Sequence, residues 1–221
     1  MSDARKVGSQ TAGFRLGRAS LVCRWRLANQ TLPLENRHLR ALGARTLFGR
    51  QVPHQLVAWT KQHLEPTLQG DAARNPDGVL LLIVDERGQA ALTVSAYEPL
   101  SRRTARALTF RAREASAEAE RTGVAPETLW LVRNEQLVWG AGDDMSPSAS
   151  ASLMQDLARA VGFSLVRAED LASGVLDGVE RYDELFLVSD EYGVVPASNA
   201  SGRRSERIAA EYAKLITASP R

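Results

Sequence analysis

Two short stretches place hydroxyl and acidic side chains where apolar segments begin or end. Ser189-Asp190-Glu191 follows the apolar run 184–188 and precedes Gly193-Val-Val-Pro, and Ser146-Pro147-Ser148 precedes an amphipathic segment. Such breaks often present backbone groups to something bound. The simpler alternatives are a hairpin corner after the strand and ordinary helix capping by Ser146 or Ser148.

Most of the basic side chains in this sequence are arginines. The sequence contains 28 Lys and Arg residues, of which only Lys6, Lys61 and Lys214 are lysines. A guanidinium stays protonated and therefore offers no free amine that could attack a carbonyl. If the chain has acquired its own chemistry, the groups that we expect to carry it out are Arg111, Arg113, Glu127, Ser189 and Tyr192.

The sequence predicts neither a metal site nor a disulfide. Cys23 is the only cysteine, and it falls in an apolar strand-like segment, so we expect a buried thiol. His54 and His63 are nine residues apart and therefore do not form an adjacent-turn metal pair. No candidate metal ligands remain.

The charge distribution is uneven along the chain. Residues 1–50 carry ten Lys or Arg and two acids, whereas residues 51–221 carry eighteen and twenty-four. A basic first third could meet phosphates, but no aromatic-interleaved motif accompanies it, so nucleic-acid binding is not expected. The chain has no apolar run of about 18 residues and no apolar signal core near its start, which predicts a cytoplasmic protein without a membrane segment.

The pattern of apolar residues predicts two α+β lobes. Residues 1–13 are expected to be flexible, 14–102 to form an N-terminal lobe, and 103–221 to form a C-terminal lobe closed by a C-terminal helix. In the first lobe we predict strands at 20–27, 79–84 and 90–97, a helix from 35 to Gly49 and a helix from Pro53. In the second we predict strands at 107–110, 129–132, 136–139, 163–166, 184–188 and 194–195, and helices at 113–123, 147–162, 171–179 and 205–216. Hairpins mixed with helices favour α+β lobes over a doubly wound sheet.

Three blocks, in this order, resemble the fold type IV family of pyridoxal-phosphate (PLP) enzymes. They are residues 20–49, 128–162 and 183–196. The first contains His38-Leu39-Arg40-Ala41-Leu42, similar to the family's His-Leu-x-Arg-Leu, and the last contains Gly193-Val-Val-Pro196, similar to its Gly-Val-x-Pro. The family includes class IV aminotransferases, such as branched-chain and D-amino-acid aminotransferases, and 4-amino-4-deoxychorismate lyase. The resemblance implies a two-lobed, D-amino-acid aminotransferase-like fold, here with a shortened second lobe, and a homodimer.

The resemblance also implies where a small anionic ligand, including PLP itself, would be held in the interlobe cleft. The candidate contacts are Ser189 at the strand end, Ser148, Ala149 and Ser150 at the helix start, and Arg40. The family's phosphate arginine corresponds to Ala41, and Arg40 lies about 100° further round the helix, so it does not simply replace that arginine.

The same alignment lacks the residues that PLP chemistry needs. The family's Schiff-base lysine would fall within 108–113, which contains none, and its glutamate corresponds to Gly123, with Glu127 nearby. Any bound PLP would then lack an internal aldimine. Three hypotheses follow: a pseudoenzyme, or an enzyme with another chemistry, that binds a small anionic ligand; an accessory or scaffold subunit that forms a homodimer or pairs with an active relative; or an active aminotransferase or lyase that uses Lys6, Lys61 or Lys214.

Overall fold

The computed structural model describes residues 15–218, so the predicted flexible segment 1–13 lies outside the described part. The N-terminal lobe has a three-stranded antiparallel sheet in the order β1-β4-β5, a two-stranded ribbon β2-β3 and two helices. These elements are β1 (Ala19–Arg26), α1 (Glu35–Ala44), β2 (Thr46–Leu47), β3 (Arg50–Gln51), α2 (His54–Gly70), β4 (Val79–Asp85) and β5 (Ala90–Ser95).

Strand β1 divides its side chains between a core and the second lobe. Leu21, Cys23 and Trp25 are buried in the N-terminal core, whereas Arg24 and Arg26 lie on the opposite face. This alternation follows from the two-residue period of a strand. The buried position of Cys23 confirms the prediction of a structural thiol.

The C-terminal lobe is built on a five-stranded sheet in the order β10-β9-β6-β7-β8, antiparallel except for the parallel pair β7 and β8. Its elements are α3 (Ala105–Thr122), β6 (Glu127–Arg133), β7 (Gln136–Trp139), α4 (Ala149–Ala160), β8 (Ser164–Arg167), α5 (Leu171–Leu176), β9 (Glu184–Ser189), β10 (Gly193–Pro196) and α6 (Arg203–Ala218). The order of helices and strands confirms the predicted α+β class.

Helices cover both faces of this sheet. Leu129 and Leu131 of β6 face α3 and α5, whereas Trp130 of the same strand faces α4 and α6. The Trp130 ring stacks on Trp139 at 5.6 Å and on Phe186 at 6.1 Å between ring centroids. A strand buried on both faces reads as a continuous apolar run, which is why 127–132 has no polar alternation.

The predicted strand at 107–110 is wrong, because these residues lie inside α3. The helix starts after Thr104, whose Oγ1 accepts a hydrogen bond from the Ala107 amide at 3.3 Å. Leu108 is fully buried against the sheet, and the Thr109 hydroxyl donates to the Ala105 carbonyl at 2.7 Å. Tertiary burial and a local cap therefore override the strand propensity of these residues. The predicted end at Gly123 is confirmed, with φ at 75°.

The predicted extension of the first helix to Gly49 is also wrong. Helix α1 ends at Ala44, and Arg45 is extended. Leu47 instead pairs with Arg50 in the β2–β3 ribbon, and Phe48 and Gly49 form its turn with positive φ angles of 53° and 73°. A residue with positive φ cannot continue a right-handed helix.

Ion pairs join the two lobes. Arg37 lies 2.8 Å from Asp156, and Arg45, buried at 4% exposure, lies 3.0 Å from Glu118. In both pairs the N-terminal lobe supplies the arginine and the C-terminal lobe supplies the acid. Part of the basic excess of the first 50 residues therefore forms ion pairs within the chain. Within residues 15–218, no helix is both long enough and apolar enough to span a bilayer.

Candidate functional site

A cleft of about 330 Å³ lies between the lobes. Strand β1, helix α3, the start of β6 and the corner between β9 and β10 form its walls. The lining residues are Arg24, Arg111, Glu114, Ala115, Glu118, Pro126, Glu127, Ser189, Glu191 and Tyr192. The volume lies near the lower end of the range of about 300–1,000 Å³ that is usual for ligand pockets, so a metabolite-sized ligand fits it.

Two bidentate arginine–glutamate pairs dominate this cleft. Arg24 donates through Nε and Nη2 to Glu191, with Nη2 and Oε1 2.8 Å apart. Arg111 donates through the same two nitrogens to Glu127, at 2.9 and 2.7 Å. The arginine side chains are 49% and 37% exposed, whereas the glutamates are 7% and 10% exposed. Each carboxylate is therefore more buried than its arginine and fixes the guanidinium, which stays partly exposed in the cleft wall.

Tyr192 adds a hydroxyl between these pairs. Burial and the nearby Glu191 carboxylate raise the pKa of the Tyr192 phenol, so it remains a protonated donor at neutral pH. Its ring centroid lies 5.1 Å from the Arg111 guanidinium carbon and 6.0 Å from the Tyr97 ring. An aromatic surface therefore lies beside the two guanidinium groups.

Ser189 lies in the cleft wall, but its hydroxyl is fully engaged. It donates to Glu127 Oε1 at 3.2 Å and accepts from the amides of Glu191 and Tyr192, both at 3.2 Å. A serine hydroxyl has one proton and two lone pairs, so no hydrogen-bonding capacity remains for a ligand. The corner after Ser189 is a β9–β10 hairpin, as predicted, in which Gly193 takes a positive φ of 69°.

Ser148, Ala149 and Ser150 form the start of α4, as expected, and all three are buried. The Ser148 hydroxyl caps the helix by accepting from the Ala151 amide at 3.3 Å. The Ser150 amide donates to Asp190 Oδ1 at 2.8 Å, and its hydroxyl lies 2.7 Å from the Tyr212 hydroxyl. The protein itself thus supplies partners for the Ser148 and Ser150 hydroxyls and for the Ser150 amide.

Two predicted arginines lie away from the cleft. Arg40 is exposed on α1, while the neighbouring Ala41 is buried, in accordance with their predicted angular separation. Arg113 is exposed on α3, with its guanidinium carbon 4.7 Å from the Phe110 ring. Of the arginines nominated from the sequence, the structure brings only Arg111 into the cleft.

The described lysines also lie elsewhere. Lys61, on α2, borders a surface groove next to the start of α1, and Lys214 on α6 pairs with Glu211 at 2.9 Å. Lys6 lies outside residues 15–218. Within that range, no lysine lines the interlobe cleft, and no group of three or more His, Cys, Asp or Glu side chains is arranged to hold a metal ion.

Sequence reasoning missed Arg24, Glu191 and Asp190. The period-two pattern of 20–27 was sufficient to place Arg24 on the face away from the core. Its partner Glu191 is 167 residues away, and that pairing depends on how the lobes dock. The sequence therefore indicated on which face of the strand Arg24 lies, but it did not indicate that Arg24 pairs with Glu191.

Known structures of similar fold include aminotransferases and 4-amino-4-deoxychorismate lyases. A hypothetical aminotransferase from Mycobacterium tuberculosis in PLP-bound form is 14% identical, with a TM-score of 0.62 over 94% of this chain and 95% of that chain. The 4-amino-4-deoxychorismate lyase of Pseudomonas aeruginosa is 18% identical, with a TM-score of 0.57 over 97% of both chains. A branched-chain amino acid aminotransferase from Thermobaculum terrenum (M4 mutant) is 14% identical, with a TM-score of 0.54 over 96% and 91%. The chain has the type IV fold of these enzymes, which confirms the predicted fold.

Comparison by sequence gives no match, either to models of protein families or to curated proteins. The shared fold therefore fixes the architecture, and the side chains in the cleft must carry the argument about function. These side chains do not fit PLP at the predicted position, because the Ser189 hydroxyl is saturated and the Ser150 amide is bound to Asp190.

Proposed function

We propose that this chain binds a small carboxylate-bearing molecule in the interlobe cleft, noncovalently and without the imine chemistry of PLP enzymes. The observation that supports this most directly is the pair of arginines, Arg24 and Arg111, each fixed by a buried glutamate and partly exposed in the wall of the cleft. The ligand is the small anion that the sequence predicts. Its acid group, however, would bind Arg24 and Arg111 and not Ser189 and the start of α4.

Carboxylate is the anion that this arrangement suits. A guanidinium edge presents parallel N–H donors that match the two oxygens of a carboxylate. Because Glu191 and Glu127 already hold the two side chains in place, binding orders little additional side chain. The protonated Tyr192 hydroxyl supplies a further donor, which is uncharged.

The charge of the cleft favours a singly charged or zwitterionic ligand. Glu191, Glu127 and Glu118 are paired with Arg24, Arg111 and Arg45. Glu114 lines the cleft and has no ion-pair partner among the described residues. The three pairs are neutral and Glu114 adds one negative charge, so a ligand ammonium group near Glu114 would be attracted while a second negative charge on the ligand would be repelled.

The proposal excludes an internal aldimine because a Schiff base needs a neutral primary amine. Arg111 occupies the segment where the resemblance placed the lysine, and its pairing with Glu127 raises the pKa of the guanidinium further despite partial burial. The Arg111 side chain therefore remains a cation that can bind a carboxylate and cannot form an imine.

Calorimetric titration tests the carboxylate site. The probes are L-alanine, a zwitterion with one carboxylate, and acetate, which carries a single negative charge. We expect Arg111→Gln to weaken alanine binding about tenfold or more, since a hydrogen bond to a charged group contributes roughly 1.5–3 kcal/mol. Arg113→Gln removes the same charge two positions along α3, outside the cleft, and should leave affinity unchanged. Equal losses in both variants would contradict the site.

Borohydride reduction tests the absence of an aldimine. After incubation with PLP and reduction, peptide mass mapping should show no pyridoxyl-lysine that forms stoichiometrically at low PLP concentration. A stoichiometric adduct at Lys6, Lys61 or Lys214 would establish an active-site lysine and contradict the noncovalent proposal.

The homodimer, or a pair with an active relative, stays a prediction from the resemblance. Sedimentation of the purified full chain measures it directly. A dimer would agree both with the accessory-subunit alternative and with ligand binding. A monomeric chain that still binds the ligand in its cleft would favour ligand binding over the accessory-subunit alternative.

A further inference from the structure

A protein carboxylate occupies the N-terminus of α4. Asp190 Oδ1 accepts from the Ser150 amide at 2.8 Å, and the aspartate is only 8% exposed. The amides of Ala151 and Ser152 have acceptors in Ser148, at its hydroxyl and its carbonyl. A negative charge in this place is favoured by the converging amides and by the helix dipole.

A buried histidine lies on the other side of the same carboxylate. His38 is 3% exposed, and its Nδ1 atom has no hydrogen-bond partner within the described residues. That atom lies 3.6 Å from Asp190 Oδ2, so its electrostatic attraction is directed at the carboxylate. Two independent features, the helix terminus and the unpartnered imidazole, thus converge on one anionic position.

Both the protonation and the position of Asp190 are fixed. Burial raises its pKa, but His38 and the hydrogen bond from Ser150 outweigh burial and bring the pKa below its ordinary value. The carboxylate is therefore ionised at neutral pH. The Asp190 carbonyl also accepts from the Arg26 amide at 3.0 Å, which ties this residue to the N-terminal lobe.

We infer that Asp190 acts as the resident anion of this position and excludes the phosphate group of any ligand from it. A phosphate there would meet an ionised carboxylate at close range in a region shielded from water, where like charges repel strongly. Ser189 offers it no donor, because its hydroxyl is saturated. The start of α4 is consequently closed to a phosphate group. Asp190 and the start of α4 do not line the cleft of the carboxylate proposal, so this inference does not rest on that proposal.

The experiment measures what a phosphate contributes to binding by the full chain. Pyridoxamine and pyridoxamine 5′-phosphate differ only in that group and carry no aldehyde that could react with lysines. With the wild-type chain we expect calorimetry to show no gain from the phosphate, including the case in which neither compound binds. Binding of the phosphorylated form about tenfold or more tighter than pyridoxamine would overturn the inference.

Removal of the carboxylate should create the excluded site. We expect Asp190→Ala to gain saturable binding of inorganic phosphate at constant ionic strength, while the wild type shows none. Asp177→Ala removes an equally charged but exposed side chain and controls for net charge. Circular dichroism confirms that each variant is folded. A folded Asp190→Ala chain that binds phosphate no better than Asp177→Ala would overturn the inference, and if that variant does not fold, the wild-type comparison decides alone.

Discussion

Two places at the boundary between the lobes suit a negative charge. The chain leaves one of them open and fills the other with its own carboxylate. At the cleft, Arg24 and Arg111 are solvated cations with their acids behind them. At the start of α4, the acid is Asp190 itself, buried together with His38. The first place is open to a ligand and the second is filled by the chain. A cleft can therefore change which anions it accepts by filling one position, with the fold retained.

The two places also differ in their expected contribution to stability. A partly exposed ion pair contributes less, because water still solvates the arginine after its partner is lost. A buried carboxylate with a hydrogen-bonded amide behaves differently, since its loss leaves buried polar groups without partners. We therefore expect the open place to determine binding and the filled place to determine stability.

The largest expected effect is on the free energy of unfolding of Asp190→Ala. The change leaves the Ser150 amide without its acceptor and removes the carboxylate that lies 3.6 Å from His38 Nδ1, and we expect a loss of about 3 kcal/mol. Urea unfolding followed by far-ultraviolet circular dichroism measures it. A loss below about 0.5 kcal/mol, the usual range for surface changes, would remove the distinction between the two places.

A smaller loss of stability is expected on the open side. Arg111→Gln leaves Glu127 with only the Ser189 hydroxyl as a side-chain donor, so we expect about 1–2 kcal/mol. Arg113→Gln, on the exposed face of the same helix, should lie within about 0.5 kcal/mol of the wild type. The same unfolding assay applies, and equal values for the two variants would show that the Arg111–Glu127 pair stabilises nothing.

Low pH should remove the contribution that Asp190, at the filled place, makes to the free energy of unfolding. The pKa of Asp190 is lowered below its ordinary value of 3.8 in the folded chain, because His38 and the hydrogen bond from Ser150 outweigh burial, so its contribution to stability is complete above the unfolded-state value and is lost as the pH falls through the folded-state value. The unfolding free energy of Asp190→Asn should thus change less steeply with pH below 3.8 than that of the wild type. Parallel curves for the two proteins would contradict the lowered pKa.

The smallest expected effect concerns the two faces of β1. Burial raises the pKa of the Cys23 thiol to about 11, so iodoacetamide should not label the native chain at neutral pH. In a Cys23→Ala background, Arg24→Cys places a thiol at a side chain that is 49% exposed, and it should react readily. Rapid labelling of native Cys23 would mean that this face of β1 is not closed.

Local patterns in the sequence were sufficient for much of the fold. The glycine stop at Gly123, the β9–β10 corner and the amphipathic α4 depend on residues close together in the chain, and all were predictable. Leu108 and Leu47 were misassigned because each can occupy a helix or a strand, and packing of distant segments decides between them.

The candidate site was less predictable than the fold. Ser189 was located correctly at the strand end and Ser150 at the start of α4, but their hydrogen bonds to Glu127 and Asp190 span 62 and 40 residues. An acid next to a strand end gives no indication of which helix terminus it will meet. Sequence patterns therefore identified where amides and hydroxyls gather, while the identity of their partner depends on tertiary structure.

The placement of the tryptophans bears on how the cleft can be observed. Trp130 and Trp139 stack inside the C-terminal core and Trp25 lies in the N-terminal core, whereas none of the residues that line the cleft is a tryptophan. Intrinsic indole fluorescence should accordingly follow the integrity of each lobe and respond weakly when a small molecule enters between them. Optical signals from this protein will distinguish folded from unfolded chains more readily than filled from empty clefts.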